Sequence, residues 1–187
     1  MLRRVGQALR RWWNAHPRCA DGLIGVGLVA FGTAASWTTL VGPTNVVPDH
    51  GWWVLALGAA ITVAGTSVRR SHPLVCWAVL AFLSLGLDAL NAVIDHAGVG
   101  PSYVSSAFSA VTVFGVPIAT GTVAALASPV TAWACAVVAA VAVEASDFLA
   151  STSPSSLGDW VFYTAVCVLI NAIGVLVGMN VRTQRER

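Results

Sequence analysis

The sequence predicts an all-α, polytopic membrane protein: a six-helix transmembrane bundle preceded by an N-terminal interfacial amphipathic helix. Three observations carry that expectation. The 187 residues are 57% hydrophobic and 10% charged, with a mean hydropathy of +0.77, whereas soluble domains are roughly half apolar and a quarter charged. Six long apolar runs are separated by short stretches rich in Gly, Pro and Ser, and each run is near the roughly 20 residues that a helical span needs. All ten basic residues are arginines, and they fall at alternate ends of those runs. A net charge of +2 suits neither a basic nucleic-acid-binding domain nor an acidic disordered tail.

Residues 1–18 form a basic segment. At about 100° per residue, Leu2, Val5, Leu9, Trp12 and Trp13 share one arc while Arg3, Arg4, Arg10 and Arg11 lie opposite. This pattern predicts a helix lying on the inner leaflet, its arginines toward anionic headgroups. A cleaved signal peptide fits less well, because no small-residue cleavage site follows a short apolar region.

The spans follow, within residues 19–180, at Asp21–Val41, Trp52–Val68, Leu74–His96, Ser105–Ala127, Val130–Ala150 and Asp159–Met179. The fourth and fifth are parted by a minimal turn at Ser128 and Pro129; residues 181–187 begin a cytoplasmic connector. With six spans every arginine is cytoplasmic: five before the first, Arg69 and Arg70 between the second and third, and Arg182, Arg185 and Arg187 after the sixth. Both termini are then cytoplasmic and the protein sits in the plasma membrane. Trp37, Trp52, Trp53 and Trp160 fall at outer span ends, and Trp77 and Trp133 at inner ends, the headgroup levels that Trp favours.

Within the spans, Gly22, Gly25 and Gly27 in the first and Gly115 and Gly121 in the fourth predict close helix approach. Pro117, between the last two, removes a backbone hydrogen bond and is a candidate hinge or a fixed bend. Cys19, Cys76, Cys135 and Cys167 are scattered singly, without the spacing of a zinc or redox pair. No phosphate-binding glycine loop, nucleophile elbow or metal-ligand helix occurs in the sequence. Neither a metal nor any other cofactor is expected.

The candidate site residues are acids. Asp88, Asn91 and Asp95 on the third span are three and four apart, hence on one helical face, and Glu144 and Asp147 on the fifth are three apart. Asp88 and Glu144 each lie 14 residues from the inner end of their span, about 21 Å into a core of about 30 Å. Such carboxylates call for water, a proton or a cation, so these five residues are candidates for outer-side ligand or proton sensing. Ser105, Ser109 and Thr112 share a face that would complete a polar lining; Asn171 reads as an interhelical hydrogen-bonding group. The alternative is that these acids are hydrated near the outer interface and only add to the charge asymmetry. On the inner side Arg3, Arg4, Arg10, Arg11, Arg69, Arg70 and Arg182 set topology and meet lipid headgroups.

Four local features together resemble the N-terminal multi-span input domain of actinobacterial sensor histidine kinases. They are His16-Pro17 with Asp21 after an Arg-rich start; the basic turn Arg69, Arg70, Ser71, His72, Pro73, Leu74; the stretch Ala110 to Val116; and the exit Arg182, Thr183, Gln184, Arg185, Glu186, Arg187. Abundant Ala, Val, Gly and Arg with no Lys suits the coding bias of that group. The family's phosphoacceptor His box and ATP-binding domain are not in this sequence, so no kinase residue carries over and no enzymatic activity is expected. The resemblance implies a signal-input module, cut from a larger protein or a stand-alone relative. Its implied partners are the lipid bilayer, a second copy in a homodimer, and a downstream kinase domain or response regulator; nucleic acid is not among them. The alternative from another class is a small proton- or cation-coupled transporter or channel built on the intramembrane carboxylates.

Overall fold

The computed structural model describes residues 7, 11–13, 15–35, 51–96, 108, 110–150 and 157–187; the side chains of 51–54, 87–96, 143–150, 157, 159, 160 and 163 lie outside that description. The described chain is all-α. Its order is α1 (Pro17–Ala35), α2 (Gly51–Ser67), α3 (Pro73–His96), a π-helical turn (Val111–Gly115), α4 (Val116–Leu126), α5 (Pro129–Ala150) and α6 (Leu157–Glu186). Two helical stretches, Pro17–Ala35 and Thr164–Glu186, are long and apolar enough to cross a membrane; Leu55–Ser67, Pro73–Gly86, Val111–Leu126 and Pro129–Ala142 are apolar but shorter among the described residues.

Proline sets three of the starts. α1, α3 and α5 each begin on a proline, whose fixed φ suits a first helical position and whose missing N–H costs nothing there. The preceding residues continue the ladder: His16 O accepts from Ala20 N, His72 O from Cys76 N and Ser128 O from Ala132 N, each at 3.0 Å. Ser128 adds a side-chain cap, its Oγ accepting from Thr131 N at 3.0 Å. The turn expected at Ser128 and Pro129 is therefore a compact capped junction. α1 starts at Pro17, four residues before Asp21, because nothing from His16 onward interrupts the backbone ladder.

The fourth run is not uniform. Pro117 has no N–H to donate and its ring crowds the carbonyl four residues back; immediately before it the chain opens into the π turn, where Val116 N–H bonds to Val111 O. Such turns mark an irregular position in a helix. α6, by contrast, runs past Met179 without a break to Glu186.

Buried positions include small or hydroxylated residues (Ala20, Ala132, Ala136, Thr62, Thr66, Thr120) beside Leu28, Leu80, Phe108 and Val123, while many other large apolar side chains face outward, Phe82 at 72% and Val130 at 79% exposure. The buried threonines are satisfied within their helices: Thr62 Oγ1 donates to Gly58 O, Thr66 Oγ1 to Thr62 O and Thr120 Oγ1 to Val116 O. One apolar cluster centres on Leu28, Leu80, Val111 and Val116, a second on Val123, Cys135 and Val175, and Trp77 packs against both. Trp77 is half-buried, whereas Trp133 is exposed.

The most extensive contacts are between α4 and α6 and between α1 and α2. Both are crossings at glycine. A Cβ at Gly121 would lie 2.6 Å from Gly174 O, one at Gly174 would lie 2.5 Å from Pro117 O, and one at Gly178 would strike Gly121 O. At Gly25 a Cβ would lie 2.9 Å from Val63 Cα. Gly22 has ordinary van der Waals room, and Gly27, also expected to allow close approach, meets nothing within 4 Å because it lies on the outward side of α1.

Candidate functional site

Among the described residues, the charged side chains that the structure brings together between helices are at the arginine-rich end. The turn after α2 is tight: Arg69 N bonds to Thr66 O, and Ser71 N and His72 N both bond to Val68 O. It delivers Arg69 and Arg70 to Asp21, one turn into α1. Arg69 Nη2 donates to Asp21 Oδ1 at 2.9 Å, and Arg70 Nε lies 2.9 Å from Oδ2. The carboxylate is 1% exposed, the two guanidinium side chains 18% and 39%. Among the described residues Arg69 Nε and Asp21 Oδ2 are buried without a hydrogen-bond partner, so Arg70 meets the carboxylate as a charge contact and Arg69 as a hydrogen-bonded one. A buried carboxylate needs such partners. In sequence Asp21 reads only as the mouth of the first span; the available signal was an acid at an inner helix end opposite an Arg-Arg turn.

Arg182, on α6, is committed nearby. Its Nε bonds to Glu186 Oε1 at 2.8 Å and its Nη1 donates to Ala127 O at 3.1 Å, covering a carbonyl at the end of α4. Arg185, one turn end further, has no ion-pair partner among the described residues. Arg11 is exposed on the short helical stretch Arg11–Trp13. Trp12 stacks on the His16 ring with centroids 5.5 Å apart. Leu2, Arg3, Arg4, Val5, Leu9 and Arg10 lie outside the described residues, so the arc is seen only at Trp12 and Trp13.

Beside the α4–α6 crossing runs a groove of about 910 Å³, within the roughly 300–1,000 Å³ of small-molecule sites. Phe114, Pro117, Ile118 and Gly121 form one wall; Ile173 and Val177 belong to the other. Trp13, Arg69, Arg70 and Arg185 stand at its polar end. Composition alone did not reveal this groove. Gly174 and Gly178, four apart on α6, were the legible signal, since small residues at that spacing let backbones meet.

The sequence-derived acids are placed in part. Asp88, Asn91 and Asp95 lie in α3, and Glu144 and Asp147 in α5; their side chains lie outside the described residues, as do Ser105 and Ser109. Thr112 is described: its hydroxyl hydrogen-bonds that of Ser84 on α3, one turn before Asp88. Asn171 is buried, and its Nδ2 donates to Cys167 O of its own helix at 3.0 Å, with Oδ1 unpartnered among the described residues. The expected interhelical bond is replaced by an intrahelical one. No cluster of metal-ligating side chains occurs among the described residues.

No family model, curated protein or solved structure matches the chain.

Proposed function

We propose that this chain is the membrane-embedded signal-input module of a sensor histidine kinase-like protein. In this reading six spans cross the plasma membrane, both termini are cytoplasmic, and the module has no catalytic activity of its own. It acts as a homodimer on a downstream kinase domain or response-regulator system. The outward-facing Leu57, Phe82 and Val130 and the glycine crossings support a lipid environment: lipid tails are as apolar as these side chains, and small residues let helices meet closely.

The observation that carries the reading is α6. Its 30 residues extend about 45 Å at 1.5 Å per residue, against a hydrocarbon core of about 30 Å. One rigid rod therefore crosses the core and continues as the polar turn Arg182 to Glu186. It meets α4 at backbone-to-backbone glycine contacts, next to the π turn and Pro117. A rotation or shift of α6 is then coupled to α4 through this close contact, and the rod carries it out of the bundle. Pro117 is the hinge candidate, and Asp88, Asn91, Asp95, Glu144 and Asp147 are the candidates for sensing a cation or proton.

A reporter kinase fused after Arg187 tests this. Each alanine inserted at the junction turns the kinase by about 100°, so output should rise and fall with the helical period. Output indifferent to insertion overturns the reading. Ion flux through liposomes carrying the purified chain, abolished by Asp88→Asn with Glu144→Gln, would replace it with a proton- or cation-coupled transporter.

A further inference from the structure

We infer that the groove beside the α4–α6 crossing holds one anionic phospholipid of the cytoplasmic leaflet, its acyl chain along Phe114, Ile118 and Ile173 and its phosphate at Arg70 and Arg185. This rests on the membrane reading above, and extends it to a ligand class.

The groove has the shape of a chain and the charge of a headgroup site. Its wall along the π turn and α4 runs from Val113 to Leu126, which is about 20 Å of helix, about two-thirds of a core about 30 Å thick. Its walls are apolar along that length, and Phe114, Ile173 and Val177 remain exposed, so the groove opens sideways where an acyl chain would enter. The basic residues gather at one end only. Three guanidiniums face one carboxylate there, since Asp21 takes Arg69 and Arg70 while Arg185 has no ion-pair partner among the described residues. The mouth thus keeps a surplus of two positive charges.

Arg70 reaches Asp21 through Nε, which leaves its terminal nitrogens to form charge-assisted bonds to phosphate oxygens. Trp13, half-buried at the same end, is the residue type that settles at headgroup level. A soluble anion would find the charges but gain nothing from the apolar wall. A zwitterionic lipid would bring its ammonium group against arginines. Because Pro117, Gly121, Gly174 and Gly178 line the same groove, a bound chain lies along the contact through which α6 is held.

Native mass spectrometry of the detergent-purified full chain, equilibrated with phosphatidylglycerol or phosphatidylcholine, tests the inference. One phosphatidylglycerol per chain should be retained in preference to phosphatidylcholine. Arg185→Gln, which breaks no ion pair among the described residues, should lower that preference about fivefold, and Arg70→Gln with Arg185→Gln roughly thirtyfold. Thr122→Trp, filling the groove from an α4 position at its wall, should abolish retention, whereas Arg187→Gln should leave it unchanged. Equal retention of the two lipids by the wild type, or a preference untouched by Arg185→Gln and Thr122→Trp, overturns the lipid site. A chain that stays in solution without detergent overturns the membrane reading along with it; a detergent-requiring chain that holds no lipid overturns the site alone.

Discussion

Arg69 and Asp21, 48 residues apart in the chain, meet with Nη2 2.9 Å from Oδ1 around a carboxylate that is 1% exposed. This ion pair ties the start of α1 to the turn between α2 and α3. Removing the carboxylate leaves two guanidiniums facing each other, one of them largely buried. Asp21→Ala is expected to destabilise the detergent-purified chain by about 3 kcal/mol, as for a broken buried pair. Arg70→Ala, losing a partner that is 39% exposed, should cost about 1 kcal/mol or less. Denaturation of the single and double variants gives the two couplings with Asp21. A coupling to Arg70 as large as that to Arg69 would contradict this ranking.

The glycines at the α4–α6 crossing should be far less replaceable than the outward-facing Gly27. A Cβ at Gly174 or Gly178 would meet backbone carbonyls, which cannot rotate away, so the helices must part along their whole contact. Gly174→Ala and Gly178→Ala are each expected to cost about 1–3 kcal/mol, the range of overpacking. Gly27→Ala, where nothing lies within 4 Å, should instead stabilise by up to about 1 kcal/mol through helix propensity. Thermal unfolding of the three variants in one detergent decides the order.

Ser128 caps α5 and separates it from α4 with almost no linker. Its Oγ accepts from Thr131 N at 3.0 Å and meets Thr131 Oγ1 at 2.8 Å. Ser128→Ala should cost about 1 kcal/mol, Ser128→Asp much less, since aspartate serves the same cap. The measurement is amide hydrogen exchange at Thr131 and Ala132, which should accelerate in the alanine variant alone.

The helices were legible because their punctuation is local. His16-Pro17, His72-Pro73 and Ser128-Pro129 mark starts whatever the rest of the chain does, and the apolar runs between them leave no room for strands. What was not legible depends on which helices are neighbours. Asp21 takes its meaning from Arg69 and Arg70, and Gly174 and Gly178 from Pro117 and Gly121; no periodicity along one helix reveals a partner on another. Asn171 shows the same limit, since choosing between its own helix and a neighbour's required the local crowding. The π turn was half legible. Pro117 announced an irregularity, but that it lies ahead of the proline, as a widened turn, follows from the carbonyls that the ring leaves without a donor.

That turn makes the last prediction. Val116 N–H reaches back five residues to Val111 O, and within the turn Thr112 bonds Ser84 of α3. Pro117→Ala restores an N–H at 117, and an α-helical bond to Val113 O becomes available. Closing the π turn removes its extra residue, so positions ahead of it rotate by about 100° relative to α4. Thr112 would then leave Ser84, and the wall formed by Val113 and Phe114 would turn with it. Cysteines placed as Ser84→Cys and Thr112→Cys, in a background lacking the four native ones, should cross-link readily with Pro117 present and poorly in the Pro117→Ala chain. Equal cross-linking in both would mean that the π turn is held by packing around Val111 and Gly115, and that Pro117 is not its cause.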